Sequence, residues 1–502
     1  MAALLLTWKR QRDDGESSQP DDHQPLVSAA EAEAEEEVKA AVAMVEEFEE
    51  RDGTDVERLR KVAEDMVVEM NKGLIDEENS CVRMLVSFVH NLPTGDEVGL
   101  FYALDLGGTN FRVLQVTLLG REHGIKEKQR SYEVPAELKV GKLHELFDYM
   151  AEKIAVFIRE EEGAEYQLLP GQKRELGFTF SFPVLNCRIN SGTLLKWTKR
   201  FSIDDAIGKD MVNELTKALE KQGLEINVTA MVNDTVGALA EGRYYNKDCV
   251  ASVILGTGTN AAYVEHVKKI QKLHGSFPSS DNMVINMEWG NFQSPNLPLT
   301  EYDVSLDAES LHPHEQILEK MVSGEYLGEI VRRVLLRMAK EAAFFGDTVP
   351  KKLEEPYILG TGDVSAMHDD TSSDLSVVAE KLAHVLQLSG SISLEKRKVV
   401  VKLCAAVARR SARLSAAAIL GILMKLGRDT KTEDGEVQHT VIAIDGTLYR
   451  KYEQFRKYLH DTLKELLGDE VLEMVTLQQA RDGSGIGAAI IAATHSNQMP
   501  ED

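Results

Sequence analysis

The stretch "FYALDLGGTNFRVLQ" (residues 101–115) predicts two β-strands joined by a tight glycine turn. An apolar run ends at one carboxylate, Asp105, and a Gly-Gly-Thr-Asn sequence follows almost at once. Because glycine has no Cβ, such a turn can present its backbone N–H groups to an anion. A carboxylate beside a bound phosphate suits Mg²⁺, which it can bind directly or through water. The stretch therefore predicts a metal–nucleotide site at the end of a strand.

A second stretch, "ILGTGTNAAY" (residues 254–263), repeats this pattern about 150 residues further along the chain. Glycine turns are common, so either hairpin alone is more often structural than functional. Two hairpins that both lead into a Thr-Asn pair instead indicate two similar lobes, each with a phosphate-binding turn at a shared cleft. Strand and helix patterns alternate to the C-terminus, which predicts an α/β fold.

The composition argues against several classes of function. The 502 residues carry a formal net charge of −25, so we do not expect nucleic-acid binding. No apolar run reaches the roughly 18 residues of a membrane span, so we expect none. The four cysteines are far apart and form no CxxC pair, which argues against a disulfide framework or a zinc site.

Three further segments contain candidate groups for an acceptor site. In "MVNDTVGAL", Asn233 and Asp234 end a strand, and an Asp there is either a helix N-cap or a general base. In "KWTKRF", Lys199 is either a surface residue or a group that orients the substrate and neutralises the transferred phosphate. In "INMEWGNF", Glu288 lies in an apolar segment, where a carboxylate needs a partner such as a hydroxyl-rich sugar.

The glycine-rich segment "DGSGIG" (residues 482–487) follows a strand-like segment near the C-terminus. No βαβ unit comes after it, which argues against a dinucleotide-binding site. We interpret it as the start of a helix that packs closely against a strand.

Together these segments resemble the hexokinase family, and most of all its plant members. The resemblance runs from roughly residue 56 to residue 496, and its most specific part is "LGFTFSFPVLNCRINSGTLLKWTKRF", which is similar to the family's sugar-binding signature. The other matching segments are "LDLGGTNFR", "VNDTVG", "LGTGTNA", "NMEWGNF", "EQILEKMVSGEYLGE" and "IAIDGTLY". The resemblance implies a two-lobed actin-like ATPase (ribonuclease H-like) fold of the hexokinase type, with a cleft between a small and a large lobe. It also implies ATP and Mg²⁺ as cofactors and a hexose such as glucose, fructose or mannose as substrate.

The resemblance implies boundaries for these lobes. We expect a disordered acidic tail at residues 1–35. The large lobe would comprise residues 36–97 and 233–481, and the small lobe residues 98–232 and 482–502.

The resemblance also implies a role for each residue that falls on a family motif. Asp234 matches the catalytic base, which takes the proton from the sugar 6-hydroxyl, and Lys199 is a second catalytic candidate. The glucose-binding positions are Ser181, Thr198, Lys199, Asn233, Asp234, Asn260, Glu288 and Glu319. The ATP-binding positions are Asp105, Gly107, Gly108, Thr109, Asn110, Arg112, Thr257, Gly258, Thr361, Asp445, Gly446 and Thr447. Asp105 is also the expected metal-side residue, through a bound water.

The sequence departs from the family at four positions that bear on activity. Arg200 and His314 replace residues that are usually glycine, and Gly360 and Gly362 stand where plant relatives usually have Arg and Pro. Three hypotheses therefore stay open. The first is an active ATP-dependent hexokinase of the first step of glycolysis, with glucose sensing as an additional role. The second is a sugar-binding regulator with weak or no catalysis, and the third is an actin-like ATPase, against which the sugar signature argues.

The sequence also bears on location and assembly. The N-terminal segment is acid-rich, unlike a plastid transit peptide, and its apolar run is too short to span a membrane. We expect a cytoplasmic monomer, with the mitochondrial outer surface and the nucleus as alternative locations.

Overall fold

Two β-sheets that share an order of five strands form the framework of the protein. The computed structural model describes residues 29–161, 168, 171–197, 201–273, 280–388, 390–432, 434–435 and 438–496. The strands of this part of the chain are β1 (Leu85–Val86), β2 (Val98–Leu106), β3 (Asn110–Leu119), β4 (Ile125–Glu133), β5 (Arg174–Phe180), β6 (Val184–Arg188), β7 (Ser191–Leu194), β8 (Ile226–Val232), β9 (Cys249–Leu255), β10 (Thr259–His266), β11 (Asn282–Asn286), β12 (Thr440–Asp445) and β13 (Val475–Gln479).

The helices outnumber the strands. They are α1 (Ala29–Asp52), α2 (Val56–Ile75), α3 (Ala136–Val140), α4 (Leu143–Glu161), α5 (Met211–Lys221), α6 (Asp234–Tyr245), α7 (Glu301–Glu309), α8 (Ile317–Val322), α9 (Leu327–Glu341), α10 (Thr361–His368), α11 (Ser376–Leu386), α12 (Leu394–Leu426), α13 (Thr447–Lys451), α14 (Glu453–Leu467), α15 (Asp469–Leu472) and α16 (Gly485–Thr494). Short 3₁₀ turns lie at Glu77–Asn79, Asp204–Ala206, Val267–Lys269, Trp289–Asn291 and Lys351–Glu354.

The two main sheets follow one plan. The five-stranded sheet has the order β4-β3-β2-β5-β8, and the six-stranded sheet has the order β1-β11-β10-β9-β12-β13. In the first, β2 pairs antiparallel with β3 and parallel with β5, and in the second, β9 pairs antiparallel with β10 and parallel with β12. The two glycine-turn hairpins, β2–β3 and β9–β10, therefore occupy equivalent places. This confirms the α/β fold of two similar lobes that the repeated sequence pattern predicts.

A pair of helices lies between the two sheets. Helix α16 packs on β2 and β5, helix α6 packs on β9 and β12, and the two helices pack on each other. Their backbones approach so closely that a Cβ at Gly487 would lie 2.0 Å from the backbone oxygen of Gly237. Glycine is needed there because any side chain would force the helices apart. The interpretation of "DGSGIG" as a helix start packed against a strand is thereby confirmed.

The N-terminal boundary differs from the prediction. Residues 1–28 lie outside the described part of the chain, but residues 29–35, which we assigned to a disordered tail, already belong to α1. That part of the assignment is wrong, because alternating Ala and Glu favour a helix as much as they favour solubility. The other lobe boundaries stay predictions. All strands of the five-stranded sheet fall within residues 98–232.

Helix α12, with 33 residues, is the longest helix described and lies in the larger hydrophobic core. It packs against α1, α2 and α14. Within the described residues, no helix combines the length and the apolar character that crossing a membrane requires.

Candidate active site

The start of α6 carries the first two acceptor-side residues. Asn233 is the N-cap, and its Oδ1 accepts hydrogen bonds from the backbone N of Thr235 at 3.0 Å and from the Thr235 hydroxyl at 2.7 Å. The N-cap role that the sequence left open for Asp234 therefore falls to its neighbour. Asp234 is the first helical residue of α6.

Asn286, at the end of β11, joins two other candidate sugar-binding residues. Its Oδ1 accepts a hydrogen bond from Asn260 Nδ2 at 2.8 Å, and its Nδ2 donates to Glu288 Oε1 at 2.8 Å. Asn260 Nδ2 also lies 3.4 Å from Glu288 Oε1 and 3.4 Å from Asn233 Oδ1. The structure thus brings Asn233, Asn260 and Glu288 into one hydrogen-bonded cluster. Sequence reasoning missed Asn286, although it lies two residues from Glu288 in a quoted segment.

The backbone of Glu288 is strained. Its φ of 55° and ψ of 43° lie in the left-handed region, which is costly for a residue with a side chain. Strain of this kind persists only where the surroundings enforce it, and it is concentrated at functional sites. Here it re-aims the carboxylate of Glu288 as the chain leaves β11.

Glu319 contacts the second glycine turn. Its Oε2 accepts a hydrogen bond from the backbone N of Thr259 at 2.9 Å. A Cβ at Gly258 would lie 2.7 Å from the same oxygen, so the carboxylate can approach the turn only because that position is glycine. Trp289 holds the turn from the other side, since its Nε1 donates to the Thr259 hydroxyl at 2.9 Å. An acceptor-side carboxylate and a predicted phosphate-side turn are therefore in contact.

Of the three remaining predicted sugar-side residues, only Ser181 lies within the described part of the chain. Ser181 follows β5 and precedes Phe182, which lines a small cavity together with Asn233 and Glu288. Thr198 and Lys199 lie outside the described residues, as does the neighbouring Arg200. Their assignments stay predictions.

The predicted ATP-side residues of the six-stranded sheet come together around the second turn. The backbone N of Gly324 donates to Gly256 O at 2.8 Å, and the Thr361 hydroxyl donates to Gly324 O at 2.6 Å. The backbone N of Glu325 donates to Thr257 O at 2.9 Å. The segment with Asp445, Gly446 and Thr447 adjoins the same turn, because a Cβ at Gly256 would lie 3.4 Å from Gly446 Cα.

The first turn, between β2 and β3, is closed by a hydrogen bond from Gly107 N to Asn110 O at 3.0 Å, with Gly108 and Thr109 between them. Arg112 lies opposite Asp105 in the β2–β3 register and donates to its Oδ2 at 2.6 Å. The same guanidinium donates to both oxygens of Asp482 at 2.8 Å. Burial lowers the pKa of Arg112, but the hydrogen bonds and charges of Asp482 and Asp105 outweigh this and raise it overall.

Ser484 completes this group. Its hydroxyl lies 3.0 Å from Asp105 Oδ2 and 2.8 Å from an Arg112 nitrogen, and the preceding residue, Gly483, donates its backbone N–H to Asp445 at 3.3 Å. The loop between β13 and α16 therefore links the first turn to the segment around Asp445. The sequence did not assign Asp482 or Ser484 to the site, because only the tertiary fold brings this loop beside the first turn.

Glu241 holds the same loop from α6 and was also missed. Its side chain is 1% exposed, and its two oxygens accept the backbone N–H groups of Arg481 at 3.0 Å and Asp482 at 3.2 Å. Burial raises the pKa of Glu241 to about 7; the two N–H donors oppose the shift, and the charges of Asp482 and Asp445 add to it. No sequence pattern marks this glutamate, because its partners are remote along the chain.

Three of the four departures from the family lie within the described residues. His314 has a φ of 68°, in the left-handed region that favours glycine, and its backbone N donates to both oxygens of Asp307 at 3.0 Å. Gly360 is the N-cap of α10 with a φ of −90°, which any residue can adopt, and a Cβ at Gly362 would meet nothing within 4 Å. Of these three described departures, only His314 therefore has a local backbone cost.

Known proteins resemble this chain over most of its length. Two family models described as hexokinase match residues 44–244 and 250–494. Hexokinase-1 of Spinacia oleracea is 58% identical over 463 residues, which cover 92% of this chain and 92% of that protein. Hexokinase-2 of Arabidopsis thaliana is 57% identical over 460 residues, 91% of each chain. Among solved structures, a Schistosoma mansoni hexokinase complexed with glucose has a TM-score of 0.80 at 34% identity, covering 91% of this chain and 99% of its own.

Proposed function

The chain belongs to the hexokinase family, and from this premise we propose that it transfers the γ-phosphate of ATP to the 6-hydroxyl of glucose and related hexoses. One observation carries the proposal. The cluster of Asn233, Asn260 and Glu288 adjoins the second glycine turn, because Asn260 directly follows Thr259, and Glu319 contacts that turn at Thr259 and Gly258. A hexose held by the cluster would therefore place a hydroxyl close to phosphates held by that turn.

Asp234 is the group best placed to accept the proton of the attacking hydroxyl. It begins α6 directly after Asn233, so the base and a sugar-binding amide are held by the same helix start. Because Oδ1 of Asn233 is engaged by Thr235, Asn233 offers the hexose its Nδ2 as a donor. Glu288 and Glu319 would accept hydrogen bonds from the remaining sugar hydroxyls. Ser181, Thr198 and Lys199 would complete the hexose site, with Lys199 neutralising charge on the transferred group.

The residues present fit a nucleotide with Mg²⁺. The described contacts of Asp105 with Arg112 and Ser484 all fall on Oδ2, which leaves Oδ1 able to accept a hydrogen bond from a metal-bound water. The two glycine turns would bind the phosphates, and Thr361 and the segment from Asp445 would hold the nucleoside side. Mg²⁺, when bound with ATP, neutralises charge that develops on the phosphates. Closure of the cleft around the hexose would exclude water, which otherwise competes as acceptor.

We further propose a cytoplasmic monomer, with the mitochondrial outer surface and the nucleus as alternative locations. Glucose sensing is proposed as an additional role. The comparisons give no support to a catalytically inactive regulator, because the matched relatives are named as hexokinases.

The experiment is coupled ADP release by the purified protein with Mg-ATP, with and without glucose, fructose and mannose. Asp234→Asn should lower kcat by about 10²–10⁴-fold, because it removes the base but keeps the shape. The matched control is Asp55→Asn, which alters an N-cap aspartate of α2 and should keep wild-type turnover.

Each alternative has its own result in this assay. Turnover of Asp234→Asn within tenfold of the wild type would refute the assignment of the base. Glucose that raises the melting temperature without any turnover would identify the regulator. ATP hydrolysis that is independent of sugar would identify an actin-like ATPase.

A further inference from the structure

We propose that Asn286 is a positioning residue, which sets the orientation of both the Asn260 amide and the Glu288 carboxylate toward the hexose. The inference rests on the proposed function, which assigns those two residues to the hexose. Asn286, to which the sequence motifs assign no role, is thereby added to the residues that determine sugar specificity.

The Asn286 side chain is buried, and both the oxygen and the nitrogen of its amide make hydrogen bonds. Asn286 is 7% exposed and ends β11, opposite Ala262 in the register with β10. Its Oδ1 accepts from Asn260 Nδ2, and its Nδ2 donates to Glu288 Oε1, each at 2.8 Å. The hydroxyl of Thr235 lies 3.5 Å from the same Oδ1, which brings the start of α6 to this amide.

These hydrogen bonds allow only one orientation of the Asn286 amide. Rotating the Asn286 amide by half a turn would set its NH₂ against the NH₂ of Asn260 and its oxygen against Glu288 Oε1, and both contacts are repulsive. Asn260 is fixed in turn, because its Oδ1 accepts from the backbone N of Ala261 at 2.7 Å. With Asn286 present, the direction of each polar group is therefore set before a hexose arrives, and the discrimination between sugar hydroxyls follows from it.

A simpler explanation is that Asn286 is a buried amide whose hydrogen bonds serve only the stability of the fold. A matched control exists within the protein, since Asn227 Nδ2 donates to Glu175 Oε2 at 2.9 Å between β8 and β5. That pair has the same chemistry as Asn286 and Glu288, and Glu175 is likewise mostly buried, at 6% exposure. Within the described part of the chain, its other side-chain hydrogen bonds go to Thr229 and not to Asn233, Asn260 or Glu288, so it reports purely structural effects.

The test compares Asn286→Ala and Asn286→Asp with Asn227→Ala and Asn227→Asp in steady-state kinetics. Asn286→Ala should raise KM for glucose about 10- to 100-fold, because two hydrogen bonds that orient ligand groups are lost. KM for ATP should stay within twofold of the wild type, and kcat should fall less than KM rises. The Asn227 variants should leave all of these parameters within twofold.

Asn286→Asp gives a second, nearly isosteric readout. It sets a carboxylate at hydrogen-bond distance from Glu288, and two carboxylates in such contact share one proton. The acid limb of the kcat/KM profile for glucose should therefore move to higher pH by about one unit or more. Asn227→Asp should leave the profile unmoved. This variant also keeps the inference testable if Asn286→Ala does not fold.

Glucose titration calorimetry on the wild type and the four variants separates the two proposals. If the wild type binds glucose without turning it over, the kinase proposal fails, and a loss of affinity confined to the Asn286 variants still supports the positioning role. If the wild type does not bind glucose, both fail. The inference is overturned if the Asn286 variants keep the wild-type KM, affinity and pH profile, or if the Asn227 variants change them equally.

Discussion

Replacing Glu241 with Gln should change how the stability of the protein depends on pH. The carboxyl group has a pKa raised from 4.5 to about 7 in the folded protein, so its neutral form is the stable one in the buried site. The folded chain therefore binds this proton more tightly than the unfolded chain does. The stability that comes from neutral Glu241 is fully present below about pH 4.5 and is lost as the pH rises through about 7.

The size of the effect follows from the shift. A shift of about 2.5 pKa units corresponds to roughly 3 kcal/mol at 1.36 kcal/mol per unit. Part of this stabilisation is already lost at pH 5, so about 2.5 kcal/mol of it remains to be lost between pH 5 and pH 8. The free energy of unfolding of the wild type, minus that of Glu241→Gln, should fall by this amount across the range. In Glu241→Gln, one of the two backbone N–H groups loses its acceptor. This adds to the difference in unfolding free energy an amount that does not depend on pH.

The assay is urea denaturation of both proteins at four pH values from 5 to 8, followed by tryptophan fluorescence. Glu309→Gln is the control, because a hydrogen bond from Arg333 lowers the pKa of Glu309. A lowered pKa contributes stability that is lost only at acid pH, so this difference should be flat above pH 5. A flat difference for Glu241→Gln as well would refute the reasoning that burial keeps this carboxyl neutral.

Two further predictions concern the backbone. His314→Gly should stabilise the protein by about 1 kcal/mol in denaturant, because glycine adopts the observed φ of 68° without strain, and kcat should not change. A loss of stability would show that the contact of the His314 ring with Asp307, at 3.4 Å, outweighs the strain. Gly487→Ala should cost at least about 2 kcal/mol, because its Cβ would overlap the backbone oxygen of Gly237, and should lower kcat with it. Gly362→Ala, at an open position, is the control, and equal melting temperatures for both alanine variants would contradict the close helix packing.

The sequence predicts the framework well because its decisive signals are local. An apolar strand that leads into a tight glycine turn forms a hairpin from its own residues, and β2–β3 and β9–β10 are found where expected. The sequence left Asp234 open as either a helix N-cap or a general base, and the structure gives the N-cap to Asn233 instead. Asn233 adopts the extended conformation of an N-cap, with φ −77° and ψ 157°, and no composition rule separates two adjacent polar residues at that level.

Features that depend on remote contacts escaped prediction. Glu288 was expected to need a partner, and a sugar was suggested, but the structure also provides Asn286 from the same segment. Glu241 shares no local pattern with the loop that it holds, because Arg481 is 240 residues away. The tail assignment at residues 29–35 was wrong for a different reason. The apolar face that anchors α1, with Val45 and Phe48, lies beyond the acidic stretch that suggested disorder.

The oxygen of the Asn233 amide caps α6 while its nitrogen is offered to the ligand, and this affects the entropy of binding. The oxygen of its amide is tied to Thr235 as part of forming α6, so the side chain loses its freedom when the protein folds. A ligand that meets the other end of the amide then finds a donor with no rotamers left to lose, which saves roughly 0.5–1.5 kcal/mol per side chain on association. Preorganisation at this position is thus a by-product of ending a strand and starting a helix, and it persists as long as the helix does.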